Sequence, residues 1–277
     1  TIEDVGTLGP EGEIYYIANP GEGITIDPAR WEPGIPVTPK PRRDYDAIEL
    51  RLDKRFSKSY QFALSYTWSR QYGNYSGLAS SDENGRTSPN VNRFYDLPWI
   101  YYTEKGQYAE GRLATDRPHT LKFFGGYTFN SKLGGTTISP NVLWYSGTPL
   151  TTEANVISTT PAAPYGRGDL GRTPQFFNTD MNLIHNFKPF GADENRFIRF
   201  EFTVFNFFNT NIVTNRNTTL LHENDGVIGF DHDADFFKGF NTRALMQAQG
   251  IRVNPYYTWA SGFQSPRAAR LQLSFFF

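Results

Sequence analysis

A chain of 277 residues with 27 Lys+Arg against 28 Asp+Glu and a formal net charge of -1 can bury a core as one large unit or two ordinary domains, and it carries no electrostatic footprint for nucleic acid. It has no cysteine, which removes disulfide scaffolds, thiolate metal sites and cysteine nucleophiles. No apolar run reaches the about 18 residues that a membrane-spanning helix needs. A mean hydropathy of -0.52 does not exclude barrel strands, whose lipid face is diluted one-to-one by lumen residues and further by polar loops.

The N-terminus, Thr1-Ile-Glu-Asp-Val-Gly6, has no initiator Met, basic region or apolar region, so either a signal was removed or the chain starts inside a larger protein. Residues 1–43 are expected to form an external loop or partial strand. Within them only Glu13-Ile-Tyr-Tyr-Ile-Ala18 could be a strand, and turn chemistry at Asn19-Pro20-Gly21, Pro28 and Pro33 to Pro41 surrounds it. From Tyr45 to Phe56, Ile48, Leu50 and Leu52 alternate with Glu49, Arg51 and Asp53. After Ser57-Lys-Ser59 the alternation resumes without exception: Tyr60, Phe62, Leu64, Tyr66 and Trp68 against Gln61, Ala63, Ser65, Thr67 and Ser69. A period of two predicts strands, and the short gap predicts a hairpin. The second stretch also matches the roughly 9 to 11 residues that a tilted strand needs to cross a bilayer.

Further strands are predicted over Thr120 to Phe129, Thr136 to Ser146, Gln175 to Phe187 and Arg196 to Phe208. The second of these is weakened by Pro140, which suits an edge better than a central strand. The last stretch, Arg267 to Phe277, puts Ala269, Leu271, Leu273, Phe275 and Phe277 on one face, with Arg270, Gln272 and Ser274 on the other. A soluble edge strand and an outer-membrane strand both fit it.

The connections decide between them. They run short (57–59), long (71–119), short (130–135), long (147–174), short (188–195) and long (209–266). Outer-membrane barrels have short turns on one side and long loops on the other, whereas a soluble sandwich has no reason to keep that order. The fold expected is all-β: an antiparallel transmembrane barrel segment of about 7–8 strands over residues 44–277, with long extracellular loops and the C-terminus in the periplasm. Seven strands do not close a bacterial single-chain barrel, so a larger parent barrel is expected. A soluble glycan-binding β-sandwich is the alternative, and a passive porin a further one.

Five segments resemble TonB-dependent outer-membrane receptors, particularly the Oar-type group that carries a carboxypeptidase-regulatory-like domain. They are Tyr45-Asp-Ala-Ile-Glu-Leu-Arg-Leu-Asp-Lys-Arg-Phe56, Tyr66-Thr-Trp-Ser69, Asp116-Arg-Pro-His119, Tyr145-Ser-Gly-Thr-Pro149 and Phe205-Asn-Phe-Phe-Asn209, in the family's order from about residue 45 to the end. The resemblance implies a barrel of about 22 strands closed by a plug, with uptake of a small solute driven by the TonB complex. No plug, TonB-contacting box or regulatory-like domain is legible here, so contact with TonB would run through a plug absent from this chain. It also implies that barrel-assembly machinery reads the C-terminal aromatic signal, here Leu271, Leu273, Phe275 and Phe277, and that membrane lipid surrounds the strands.

No catalytic residue, cofactor or enzymatic activity is expected: nucleophile elbows, phosphate loops and dinucleotide fingerprints are absent in recognisable form. Only a spatial convergence of Ser or Asp with His at the rim would supply a hydrolase. Asp231, Asp233 and Asp235 have the opening spacing of a calcium loop, but Phe236 stands where the turn needs Gly and no Glu stands at the twelfth position to close the site. A looser external calcium site and a solvated acidic loop remain as readings. His119, His185, His222 and His232 do not pair at metal-helix spacing. Arg167-Gly-Asp169 spells an adhesion tripeptide within a Gly-rich turn. The loop aromatics are the better ligand-binding candidates: Tyr72, Tyr75, Phe94, Tyr95, Trp99, Tyr101 and Tyr102, then Tyr256, Tyr257 and Trp259. They suit stacking on sugars or gripping peptide, or else form a girdle or pack the loops together.

Overall fold

The computed structural model describes residues 2–9, 12–17, 21–22, 26–74, 98–157, 161–189 and 196–277. In chain order the strands are β1 (Ile2–Gly9), β2 (Gly12–Ile17), β3 (Arg43–Ser57), β4 (Tyr60–Gly73), β5 (Gly111–Arg112), β6 (His119–Ser131), β7 (Gly134–Tyr145), β8 (Ala154–Asn155), β9 (Pro161–Ala162), β10 (Phe176–Phe187), β11 (Phe197–Phe205), β12 (Val213–Arg216), β13 (Ala260–Phe263) and β14 (Ala268–Phe276). One short helix, α1 (Thr242–Ala248), and 3-10 turns at Pro28–Arg30, Pro98–Tyr101 and Asp233–Lys238 complete the described elements.

All seven expected strands are present, and they form one antiparallel sheet in the order β14-β11-β10-β7-β6-β4-β3. Its eighth member is β5, two residues from inside the first long connection that pair with the last two residues of β4. The segment expected as an eighth strand is indeed extended, as β2, but it pairs with β1 in a separate two-stranded sheet. Among the described residues β3 and β14 each have a neighbour on one side only, so the sheet is open.

Register follows from the period of two, because a slip of one residue would turn every apolar side chain to the wrong face. Leu52 pairs with Leu64 and Leu50 with Tyr66, Leu64 in turn with Phe123 and Tyr66 with Leu121. Phe123 then pairs with Val142, Ile138 with Leu183, Leu183 with Phe202, and Phe202 with Leu271. Directly opposite residues share a face, so a single apolar face runs unbroken across seven strands.

Pro140 does not lie on an edge as its chemistry suggests. It sits in β7, between β6 and β10, opposite Met181. The pairing with β6 instead breaks at Gly125 and Gly126, between the Phe124–Asn141 and Tyr127–Ile138 pairs. A proline is tolerated there because the ladder forgoes bonds on that side.

The three short connections join strand ends on one side of the sheet. Lys58 and Ser59 (φ 51° and 74°) make the two-residue turn whose twist suits a hairpin. At the second turn Gly134 is required by close approach, since a Cβ there would fall 1.8 Å from the Asn186 carbonyl oxygen.

The long connections meet at the other end, and the hydrophobic core lies among them. Trp99 and Tyr101 from the first, Val156 and Ala162 from the second, and Leu220, Ile228, Phe236 and Met246 from the third are buried together. Parallel bridges Glu153–Thr219 and Val156–Ile228 join the second loop to the third. Glu104 ties the first to the third, its carboxylate accepting from the Thr242 N–H (2.9 Å) and hydroxyl (2.6 Å).

Candidate functional site

The two faces of the sheet differ chemically. On the apolar face many large side chains remain exposed, among them Ile48, Leu50, Leu52, Phe200, Leu271 and Phe275. A contiguous apolar surface of this extent, on a molecule whose buried core lies elsewhere, marks contact with lipid or another apolar partner. Aromatic rings flank it at both ends. Near the loops, His119 stacks between Tyr66 and Trp144 with centroids 6.1 Å away on each side, and the Tyr66 hydroxyl meets His119 Nδ1 at 2.7 Å. Near the turns, Tyr127 and Phe129 lie 4.6 Å apart, and the Lys54 ammonium sits 3.8 Å over the Tyr60 ring. Amphipathic rings at two levels, with aliphatic residues between, are the arrangement of a membrane interface.

The opposite face is polar. Arg51 pairs with Asp53 on its own strand at 2.5 Å, and Glu201 faces Arg270 on β14 at 3.8 Å and accepts from the Asn182 amide at 2.9 Å. Arg199 donates to Asn186 at 2.9 Å and stands over the stacked Phe197 and Phe276 rings. Of the five charges Glu49, Arg51, Asp53, Arg199 and Glu201 on this face, pairing within a strand and across neighbours accounts for four. The fifth, Glu49, lines a depression of about 270 Å³ with Tyr45, Thr67, Ser69, Gln71, Thr115, Asp116, Arg117 and Thr120. A second cavity, of about 410 Å³, lies where Phe176, Asn178, Asp180 and Phe205 of this face meet Thr214 and the Phe263-Gln-Ser-Pro266 segment.

Three of the family-like segments are corners where strands leave the sheet. Asp116 is buried; its carboxylate accepts from the Gln71 N–H (2.7 Å), from Arg112 (3.4 Å) and from Arg172. Arg172 also donates to the Gly147 carbonyl at 2.8 Å, and Arg117 to the Ser146 carbonyl at 2.9 Å. Burial lowers the Arg117 pKa from its ordinary value. Gly147 is obligatory at this crossing, because a Cβ would fall 1.7 Å from the Thr173 carbonyl oxygen. The Asp-Arg-Pro-His and Tyr-Ser-Gly-Thr-Pro segments thus lock together.

In Phe205-Asn-Phe-Phe-Asn209, Asn206 (φ 47°) donates to the Thr210 and Ser265 carbonyls and accepts from the Thr210 N–H, while Asn209 (φ 53°) accepts from the Arg267 N–H. Short amides can bond locally in the left-handed region, which is why Asn occupies these bends.

The expected ligand-gripping aromatics divide. Trp99, Tyr101 and Tyr102 are buried in the loop core, so they pack the loops and do not face a solute. Burial first, then the Tyr108 hydroxyl, raises the Tyr102 pKa. Tyr257 is half-buried, its hydroxyl 2.5 Å from Thr152, and burial raises its pKa. Tyr256 (60% exposed) and Trp259 (62% exposed) stay accessible as an edge-on pair with centroids 5.6 Å apart. Tyr75, Phe94 and Tyr95 lie outside the described residues.

Among the described residues no three His, Asp or Glu side chains converge to hold a metal. Asp233 and Asp235 open a 3-10 turn, and Asp235 pairs with Lys238 at 2.6 Å. The Lys238 ammonium lowers the Asp235 pKa, whereas burial, with Glu32 nearby, raises that of Asp233. The Arg167-Gly-Asp169 tripeptide is also structural: Arg167 donates to the Asn74 and Ala109 carbonyls, and Asp169 accepts from Thr152. Leu271, Leu273 and Phe275 lie exposed on the apolar face of β14, with Phe277 just past its last pair.

Residues 35–170 match the family model described as an outer membrane beta barrel domain. Among curated proteins, the TonB-dependent transporter Oar of Myxococcus xanthus is 28% identical over 291 residues, an alignment that takes in 100% of this chain and 25% of that protein. The chain therefore spans about a quarter of the length of the curated relative it matches. No solved structure gives a significant match.

Proposed function

We propose that this chain, which carries an outer-membrane β-barrel domain, forms part of the wall and external mouth of a TonB-dependent transporter that takes up a small solute. The observation that carries the reading is the sheet with one continuous exposed apolar surface and one polar surface, with loops that have their own core at a single end. Barrel strands need that division of faces, and an energised transporter needs a polar interior and an external recognition surface. The similarity to a TonB-dependent transporter supports the same class of function.

In this reading the tight turns and Phe277 face the periplasm and the loops face outward. The free edges of β3 and β14 pair with further strands, because unpaired backbone groups in hydrocarbon are costly. The C-terminal aromatic strand addresses the chain to barrel-assembly machinery, and energy reaches it through a plug supplied outside these residues. The protein binds and passes its solute without chemical conversion.

The test is uptake of a labelled panel of oligosaccharides, peptides and metal chelates by cells with and without the complete gene. Loss of at least one solute on deletion, together with its loss in intact cells treated with a protonophore, is the expected result. Uptake that survives the protonophore, or steady ion conductance by the purified protein, would place it with passive porins.

A further inference from the structure

The cavity of about 410 Å³ at the loop end of β10 and β11 has Asp180 as the one charged residue of its lining. Both donors that reach Asp180, the Asn178 amide and the Asn206 backbone N–H at 2.9 Å each, go to the same oxygen, Oδ1. Among the described residues Oδ2 has no donor. Arginines on the adjoining strands are engaged elsewhere, Arg270 with Glu201 and Arg199 with Asn186. Three rings complete the site: Phe176, Phe205 and Phe263, of which the last two are exposed.

We propose that this cavity binds a small organic ammonium cation, with Asp180 Oδ2 as counter-ion and the phenyl rings around the alkyl groups. A carboxylate oxygen without a donor, in a cavity lined by aromatic rings, favours positive charge by its own charge, and the ring quadrupoles act in the same sense. A hard metal ion is poorly served, since it needs six or more oxygen ligands and would lose its water to hydrocarbon rings. An anion would meet the carboxylate, and a neutral solute would leave it uncompensated. The volume is of the size that holds a small molecule. The proposal deepens the transporter reading, on which it rests for access to this face from the outer mouth.

The experiment is calorimetric titration of the complete protein in lipid nanodiscs with choline, and with its uncharged isostere 3,3-dimethylbutan-1-ol. Choline is expected to bind saturably and the alcohol not to compete. Asp180→Asn, which keeps an acceptor for Asn206, is expected to weaken choline at least roughly tenfold, and Phe263→Ala several-fold. Phe263 is 56% exposed, so its variant remains informative even where Asp180→Asn fails to fold. No choline binding by the wild type, equal binding by both variants, or equal binding of the alcohol overturns the proposal. Because equilibrium binding needs no energy source, a negative result here with energised uptake intact removes this site alone.

Discussion

Asp116 shows how much one side chain can organise. Buried, and shared by the Gln71 N–H, Arg112 and Arg172, it joins the outer end of β4 to the segments that enter β6 and follow β7. Asp116→Ala leaves Arg172 without its counter-charge and is expected to cost about 3 kcal/mol, read as a lower denaturant midpoint for the folded barrel. Asp225 offers a pH test. Arg252 bonds it from both side chain and backbone and holds its carboxyl at about 2, below the usual carboxylate value. A depressed folded pKa contributes stability that is complete above the unfolded value near about 4 and is lost as pH falls toward 2. Pepsin is therefore expected to cut the 222–252 loop only as the pH drops through that window. Arg252→Ala should be cut already at its upper edge; an identical profile in the variant would contradict the assignment.

At the level of elements, the seven long strands of the main sheet were legible, whereas β1, where no strand was expected, and the loops were not. All seven long strands show in the alternation of residues such as Phe62, Leu64 and Tyr66, because that alternation is imposed by two solvents on two faces. The residues of the loop core, Val156, Leu220, Ile228 and Phe236 among them, follow no period. They meet only through tertiary contact, which is why the sequence leaves Trp99, Tyr101 and Tyr102 open between gripping a ligand and packing the loops, and the structure places them in the core. β5, β8 and β9 have two residues each, too few for a period to show. Of the candidate aromatics, Tyr256 and Trp259 are the pair that stays exposed. The cavity around Asp180 draws on positions about 90 residues apart in the chain, from Phe176 to Pro266, and no local pattern announces it. The faces give an element-scale prediction: Leu64→Arg should cost about 2–4 kcal/mol and Ser65→Arg close to nothing, measured as denaturant midpoints in detergent. Equal losses would mean that the two faces are not in different solvents.

For the molecule as a whole, the arrangement inverts that of a soluble sandwich, with the packed core in the loops and the large apolar face of the sheet exposed. In the proposed reading lipid is the solvent that makes such a face stable, and single cysteines can report it residue by residue, since these 277 residues hold none and any elsewhere in the protein can be replaced by serine. Single cysteines at each of positions 60 to 69 in the complete protein, spin-labelled in bilayers, report collisions with oxygen, which concentrates in lipid, and with a water-soluble nickel chelate. Oxygen contact should peak at Phe62, Leu64, Tyr66 and Trp68, and nickel contact at Ala63, Ser65 and Thr67. Low contact with both reagents along the first set would reveal a dry protein core and contradict the membrane barrel.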